Sequence, residues 1–129
     1  MSSHSPSEYS DSRKLTGRVA VITGGGSGIG LATALLLARQ GAAVTVGDLD
    51  VSPECRQSLA EAEIQSSVCD VREVGQLREL IDETAKTAGR LDILVNNAGV
   101  VQVGQVDEID EAQWDRCLDT NLKAAFFGV

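Results

Sequence analysis

The residues able to do chemistry cluster in a few places along the chain. Thr23-Gly24-Gly25-Gly26-Ser27-Gly28-Ile29-Gly30 is rich in glycine, Asp48 and Leu49 stand about 20 residues further on, and Asp70-Val71, Asn96-Asn97-Ala98-Gly99 and Asn121 follow. A glycine turn between a strand and a helix lets the backbone approach a pyrophosphate, whose charge the free N–H groups and the positive helix end then stabilise. Gly24, Gly28 and Gly30 are assigned to that turn, with Ser27 and Ile29 between them. A carboxylate closing the next strand, here Asp48, can accept hydrogen bonds from both hydroxyls of a ribose. Taken one at a time, a flexible glycine loop and a solvated acidic residue stay open as alternatives.

These residues need a frame. Short apolar runs at Val19–Ile22, Ala42–Val46, Ile64–Val68 and Ile93–Val95 predict strands buried on both faces. Between them, Ile29, Ala32 and Leu36 predict one apolar helix stripe, and Val74, Leu77, Ile81, Ala85 and Ala88 another. Ser52 before Pro53 reads as a helix cap, and Asp110 to Gln113 has the spacing of a capping box. Strands alternating with helices imply an α/β protein with an open, doubly wound parallel sheet. The pattern stops after about four strands and four helices, the last helix running from about Glu111 to Val129.

On that helix Trp114, Leu118, Asn121 and Ala125 share one stripe, which predicts Trp114 in the core and the Asn121 amide facing inward, where it needs a partner. Asp70, three residues before Glu73, could instead cap the helix that follows it.

Composition excludes several classes. A net charge of -8 over 129 residues argues against nucleic acid and against anionic membrane surfaces as partners. No apolar run is long enough to span a bilayer, and no apolar leader core is present, so a cytoplasmic protein is expected. Cys55, Cys69 and Cys117 form no close pair, so neither a disulfide framework nor a metal site is expected, and buried or half-buried thiols are. Residues 1–14 are serine-rich and polar and read as a disordered tail, with one domain over 15–129; His4 and Tyr9 lie in the tail.

The glycine spacing is TGxxxGxG, and with Asp48, Asp70-Val71, Asn96-Asn97-Ala98-Gly99 and Asn121 in that order the chain from Leu15 to Val129 resembles the short-chain dehydrogenase/reductase family. The resemblance implies a Rossmann-like fold and hydride transfer between a nicotinamide cofactor and an alcohol or carbonyl substrate. It implies that Asp48 holds the adenosine ribose, that Asp70 and Val71 hold the adenine, and that Asn97, Ala98 and Gly99 contact the nicotinamide-side ribose, with Asn96 structural. Asn121 would help place a catalytic lysine, and the full-length protein would be a homo-oligomer using the final helix. A 2′-phosphate would meet the charges of Asp48 and Asp50, and Ser27 stands where NADP-preferring relatives often carry a basic residue, so NAD is expected.

The family's serine, tyrosine and lysine are not matched: Tyr9 is followed four residues later by Arg13, and no serine follows Ser67. Three readings stay open. The chain is the front part of a complete dehydrogenase, a non-catalytic NAD-binding module, or a product that fails to fold because the strand ending at Val95 exposes an edge.

Overall fold

The computed structural model describes residues 13–129, so the expectations for His4, Tyr9 and most of the polar tail lie outside the described residues. Strand β1 (Val19–Thr23) is followed by α1 (Gly28–Arg39), β2 (Ala43–Asp48), α2 (Pro53–Glu61), β3 (Gln65–Val68), α3 (Val74–Ala88) and β4 (Ile93–Asn96). A short 3-10 turn, Val106–Glu108, leads to α4 (Glu111–Leu118), a π-helical turn at Asp119–Lys123, and α5 (Ala124–Gly128). The four strands lie in the order β3-β2-β1-β4, all parallel, with Thr23 beside both Gly47 and Asn96. The chain winds outward from β1 in one direction, then returns to place β4 on the other side. That reversal opens a crevice at the carboxyl ends of β1 and β4.

Alternation along β1 sorts the core into two layers. Ala20 and Ile22 pack with Ala34, Val44, Val46 and Leu59 beneath α1 and α2. Val21 points the other way, toward Leu77, Leu80 and Ala124 on α3 and α5. All five β1 residues are buried, which fits the apolar run expected for a central strand. The edge strand β3 departs from that expectation. Gln65, Ser66, Ser67 and Val68 are all exposed, because β3 has a neighbour on one side only and the sheet faces beside it are open.

The helix stripes need one correction. In α1 the buried residues are Gly30 and Ala34, while Ile29 is 80% and Leu36 47% exposed and Ala32 also faces outward. The sequence GIGLATALLLAR is apolar almost all round, so periodicity could not select a face; close packing on the sheet selected the smallest side chains. Helix α3 follows its expected stripe more closely through Leu77 and Ile81, with Leu80 and Thr84 added and Ala88 exposed. Thr84 is tolerated in the core because its hydroxyl donates to the Leu80 carbonyl at 2.7 Å.

The caps are as read. Ser52 Oγ accepts from the Cys55 N–H at 3.2 Å with Pro53 at the first helical position. Asp110 and Gln113 exchange side chain-to-backbone bonds of 2.7 and 2.9 Å at the start of α4. Cys69 is buried and Cys55 and Cys117 are half-buried, all as free thiols. Burial, helped by the charges of Asp70 and Asp48, pushes the Cys69 thiol upward, so it stays protonated and packs as a small apolar side chain.

At the opposite ends of β1 and β4, Asp92 ties the two strands together. Its carboxylate accepts from the Val19 N–H at 2.9 Å and from the guanidinium of Arg90, with Arg18 Nη1 at 3.4 Å. The Arg90 bonds, then the Val19 bond, hold its pKa at about 2, below the ordinary 3.8. A carboxyl whose pKa is depressed by folding stabilises the fold above its unfolded value and loses that stabilisation as pH falls through the folded value. Thermal melting of the chain is therefore expected to worsen between about pH 4 and pH 2, and Asp92→Asn to flatten that limb. An unchanged acid limb in the variant would refute the assignment.

Candidate functional site

The crevice encloses about 410 Å³ and is lined by Gly24, Ser27, Gly28, Ile29, Asp48, Leu49, Asp70, Val71, Asn97, Ala98 and Gly99, among others. Eleven of the sequence-nominated residues thus converge on one cleft, although they are spread from position 24 to position 99. Gly30 lies just behind it, buried beneath the turn. A wider groove of about 800 Å³ runs between α3 and the exposed β2–β3 side of the sheet. It reaches the amino-terminal strand residues Val19 and Ala43, and the glycine turn does not line it.

Backbone geometry explains the glycines. Gly24 has φ +68°, and a Cβ there would sit 2.8 Å from Ala98 Cα. The turn and the loop after β4 are that close because Asn97 Nδ2 donates to the Gly24 carbonyl at 3.0 Å. Thr23 adds a second tie. Its buried hydroxyl accepts from the N–H groups of Asn97 and Ala98, both at 3.2 Å, and donates to the Val95 carbonyl at 3.4 Å. Ser27 occupies the N-cap position of α1 in extended backbone, makes no side-chain capping bond, and lines the cleft with Gly28 and Ile29, so the amino end of the helix, whose first N–H groups have no partner within the helix, borders the cleft. Such an end favours an anion.

Asp48 closes β2 at the cleft wall. One carboxylate oxygen accepts from the Gly26 N–H at 2.9 Å and the other from the Leu49 N–H at 2.8 Å. Each oxygen keeps an acceptor site, which suits a pair of vicinal hydroxyls.

The reading of Asp70 as a helix cap is not borne out. The N-cap of α3 is Glu73, and the Asp70 carboxylate is taken by Arg72 instead. Arg72 Nε reaches Oδ1 at 2.9 Å and Nη2 reaches Oδ2 at 2.8 Å, while the Arg72 N–H also donates to Oδ1 at 3.0 Å. This pairing holds the Asp70 carboxyl below its ordinary range. Helix geometry decided against the cap, because α3 begins one turn too late for Asp70 to reach its N–H groups.

Asn121 falls in the π-helical turn between α4 and α5. Its side chain is exposed rather than inward-facing, yet both ends of its amide are bonded. Oδ1 accepts from the Val100 N–H and Nδ2 donates to the Val100 carbonyl, both at 2.8 Å, with Cys117 Sγ at 3.5 Å. The partner is thus the loop beyond Gly99, which the amide clamps as a neighbouring strand would. π-helical turns are rare and recur at functional sites, where they redirect a side chain. Trp114 departs from its expected place: it is 60% exposed, because its stripe with Leu118 lies on the outer side of α4. Asn96, expected to satisfy buried backbone groups, is exposed at the end of β4.

Sequence reasoning passed over Thr23, Arg72, Arg116 and Thr120. The last three line the cleft, and Thr23 ties its walls. Thr23 carried one available signal, as the polar residue that ends an otherwise apolar buried run.

An open parallel sheet with a glycine turn at its switch point and an acidic residue closing the neighbouring strand defines a nucleotide-binding α/β domain. A family model for short chain dehydrogenases matches residues 18–129, and the chain belongs to that family, whose members bind nicotinamide cofactors. The chain is similar to the 3-oxoacyl-(acyl-carrier-protein) reductase FabG of Thermotoga maritima, with 40% identity over 119 residues, 88% of this chain and 48% of the relative. The short chain dehydrogenase/reductase AacuN of Aspergillus aculeatus is 41% identical over 118 residues, covering 88% and 45%. Among solved structures, a Burkholderia cenocepacia short chain dehydrogenase in complex with NADP superposes with TM-score 0.83 at 34% identity, covering 89% of this chain and 49% of that one. A Serratia marcescens short-chain dehydrogenase/reductase mutant gives TM-score 0.81 at 32% identity, covering 88% and 49%. The chain therefore spans about half the length of the relatives it matches. No helix among the described residues is long and apolar enough to cross a membrane.

Proposed function

We propose that this chain forms the cofactor-binding part of an oxidoreductase that transfers a hydride between NAD and a small alcohol or carbonyl substrate. The observation that carries the choice of NAD is Asp48, whose carboxylate stands in the cleft with two acceptor sites unused. Those sites fit the two hydroxyls of an adenosine ribose, and their charge opposes a 2′-phosphate. The N–H groups opening α1 and the hydroxyl of Ser27 receive the pyrophosphate, Asp70 and Val71 the adenine, and Asn97, Ala98 and Gly99 the second ribose. Bound NAD supplies the hydride acceptor.

Asn121 holds the Val100 backbone at the far wall of the cleft, and in the complete reaction it positions a lysine. Proton transfer at the substrate oxygen is assigned to a serine and a Tyr-x-x-x-Lys set encoded after residue 129. The coding sequence tests this directly: a frame continuing through that set makes an enzyme, and a stop codon leaves a binding module. The protein is read as cytoplasmic, and as an oligomer packed through the outer side of α4 and α5, where Trp114, Leu118, Leu122 and Phe126 are exposed.

A second reading, NADP, draws on the Burkholderia relative and on Arg116 in the cleft wall. Equilibrium titration of the polypeptide carrying these residues, with NAD and NADP in parallel, separates the two. Tighter binding of NAD by tenfold or more is expected; tighter NADP would overturn the cofactor assignment, and no binding of either would overturn the function.

A further inference from the structure

The Asp70–Arg72 pair is built more tightly than a surface ion pair requires. Three donors converge on one carboxylate: Nε and the backbone N–H of Arg72 on Oδ1, and Nη2 on Oδ2. A carboxylate offers about four acceptor sites, so one remains, on Oδ2. The Asp70 side chain is only 16% exposed, and the cleft is the space it borders. The main chain is held as well, since the Asp70 N–H donates to Gln76 Oε1 at 2.9 Å. Val71 between the pair is 6% exposed and packs into the layer with Leu77 and Leu80. Neither rotation of the carboxylate nor a slide of the backbone is available without breaking several bonds.

We infer that Arg72 is a positioning residue that makes the cleft selective for a 6-aminopurine over a 6-oxopurine. The inference rests on the dinucleotide reading and on Asp70 meeting the base. A carboxylate free to turn could swing its lone pairs away from a carbonyl and so relieve the repulsion. One gripped by a planar guanidinium offers a single fixed lone pair, which accepts from an amino group and repels a carbonyl oxygen. A lysine could supply the charge but not the two-pronged grip.

The test compares NAD with nicotinamide hypoxanthine dinucleotide, which carries a carbonyl in place of the adenine amino group and, with it, an N1–H in place of the N1 acceptor. Equilibrium titrations are run on the parent polypeptide, on Arg72→Met and on Arg72→Lys, with the melting temperature of each unliganded protein recorded. The parent is expected to prefer NAD by about tenfold or more, the size of one hydrogen bond to a charged acceptor. In Arg72→Met the preference is expected to fall to within about threefold, and in Arg72→Lys to lie between. A residue that merely supported the fold would weaken both ligands alike and leave the ratio untouched. Should Arg72→Met fail to fold, the ratio in Arg72→Lys decides. Equal affinity of the parent for both dinucleotides, or an unchanged ratio in the folded variants, overturns this inference alone. If the parent binds neither, the proposed function falls and the inference with it.

Discussion

Gly30→Ala is expected to lower the stability of the protein by about 2–4 kcal/mol and to abolish dinucleotide binding. A Cβ at this position would lie 2.3 Å from the Gly24 carbonyl oxygen and 2.4 Å from Asn97 Nδ2. Both atoms are partners in the bond that draws the glycine turn onto the loop after β4, so the methyl group enters the space that this bond occupies. Backbone cannot swing aside as a flexible side chain can. Either α1 moves off the sheet or the Asn97 bond breaks, and both displace the N–H groups offered to the pyrophosphate. A fall of about 10 °C in melting temperature is the readout, together with loss of binding by titration. Gly75→Ala is the control, because nothing lies within 4 Å of a Cβ there. A Gly30 variant that melts and binds like the Gly75 variant would show that the turn is looser than its contacts indicate.

The second large effect is on ligand choice. Asp48→Ala is expected to weaken NAD binding by roughly 30- to 150-fold, the equivalent of about 2–3 kcal/mol for the two ribose bonds to a charged acceptor. NADP should be unaffected or bind more tightly, since the carboxylate that opposes its phosphate is gone. Asp48→Asn keeps an acceptor and loses the charge, so its loss for NAD should be smaller. The alanine variant also leaves the N–H groups of Gly26 and Leu49 without their acceptor, so part of the effect arises from a slack turn. Comparing NAD with NADP in the same variant cancels that part. If Asp48→Ala binds NAD within twofold of the parent, Asp48 is a solvated acid and the cofactor argument collapses.

How much of this was written in the sequence depends on the range over which each feature is determined. The strands and caps were legible because they are local. A continuous apolar run ending in Thr23 has few alternatives to a buried strand, and Ser52-Pro53 or Asp110 with Gln113 needs only a neighbouring turn to act. The convergence of Gly24, Asp48, Asp70 and Asn97 also followed, since each terminates or follows a parallel strand and all such ends lie on one side of the sheet. The faces of α1 and α4 were not legible. In the first, leucines surround the helix and the sheet selected Gly30 and Ala34; in the second, Trp114 and Leu118 share a stripe whose spacing says nothing of what it faces. Asp70 was ambiguous because its carboxylate can serve several nearby donors, and the winner, Arg72, depends on how the chain turns before α3. The bonds of Thr23 and Asn97 join residues more than 70 positions apart, a distance at which local pattern carries no information.

The hydroxyl of Thr23 has a thermodynamic consequence. Two loops that belong to different strands are ordered through this oxygen together with the Asn97–Gly24 bond, so the entropy of fixing them is lost during folding rather than when a ligand arrives. A cofactor that meets either loop finds the other already in register. Changes in the two loops should accordingly fail to add: the cost of altering Asn97 ought to shrink once Thr23 has been replaced by valine, because the coupling they share can be lost only once.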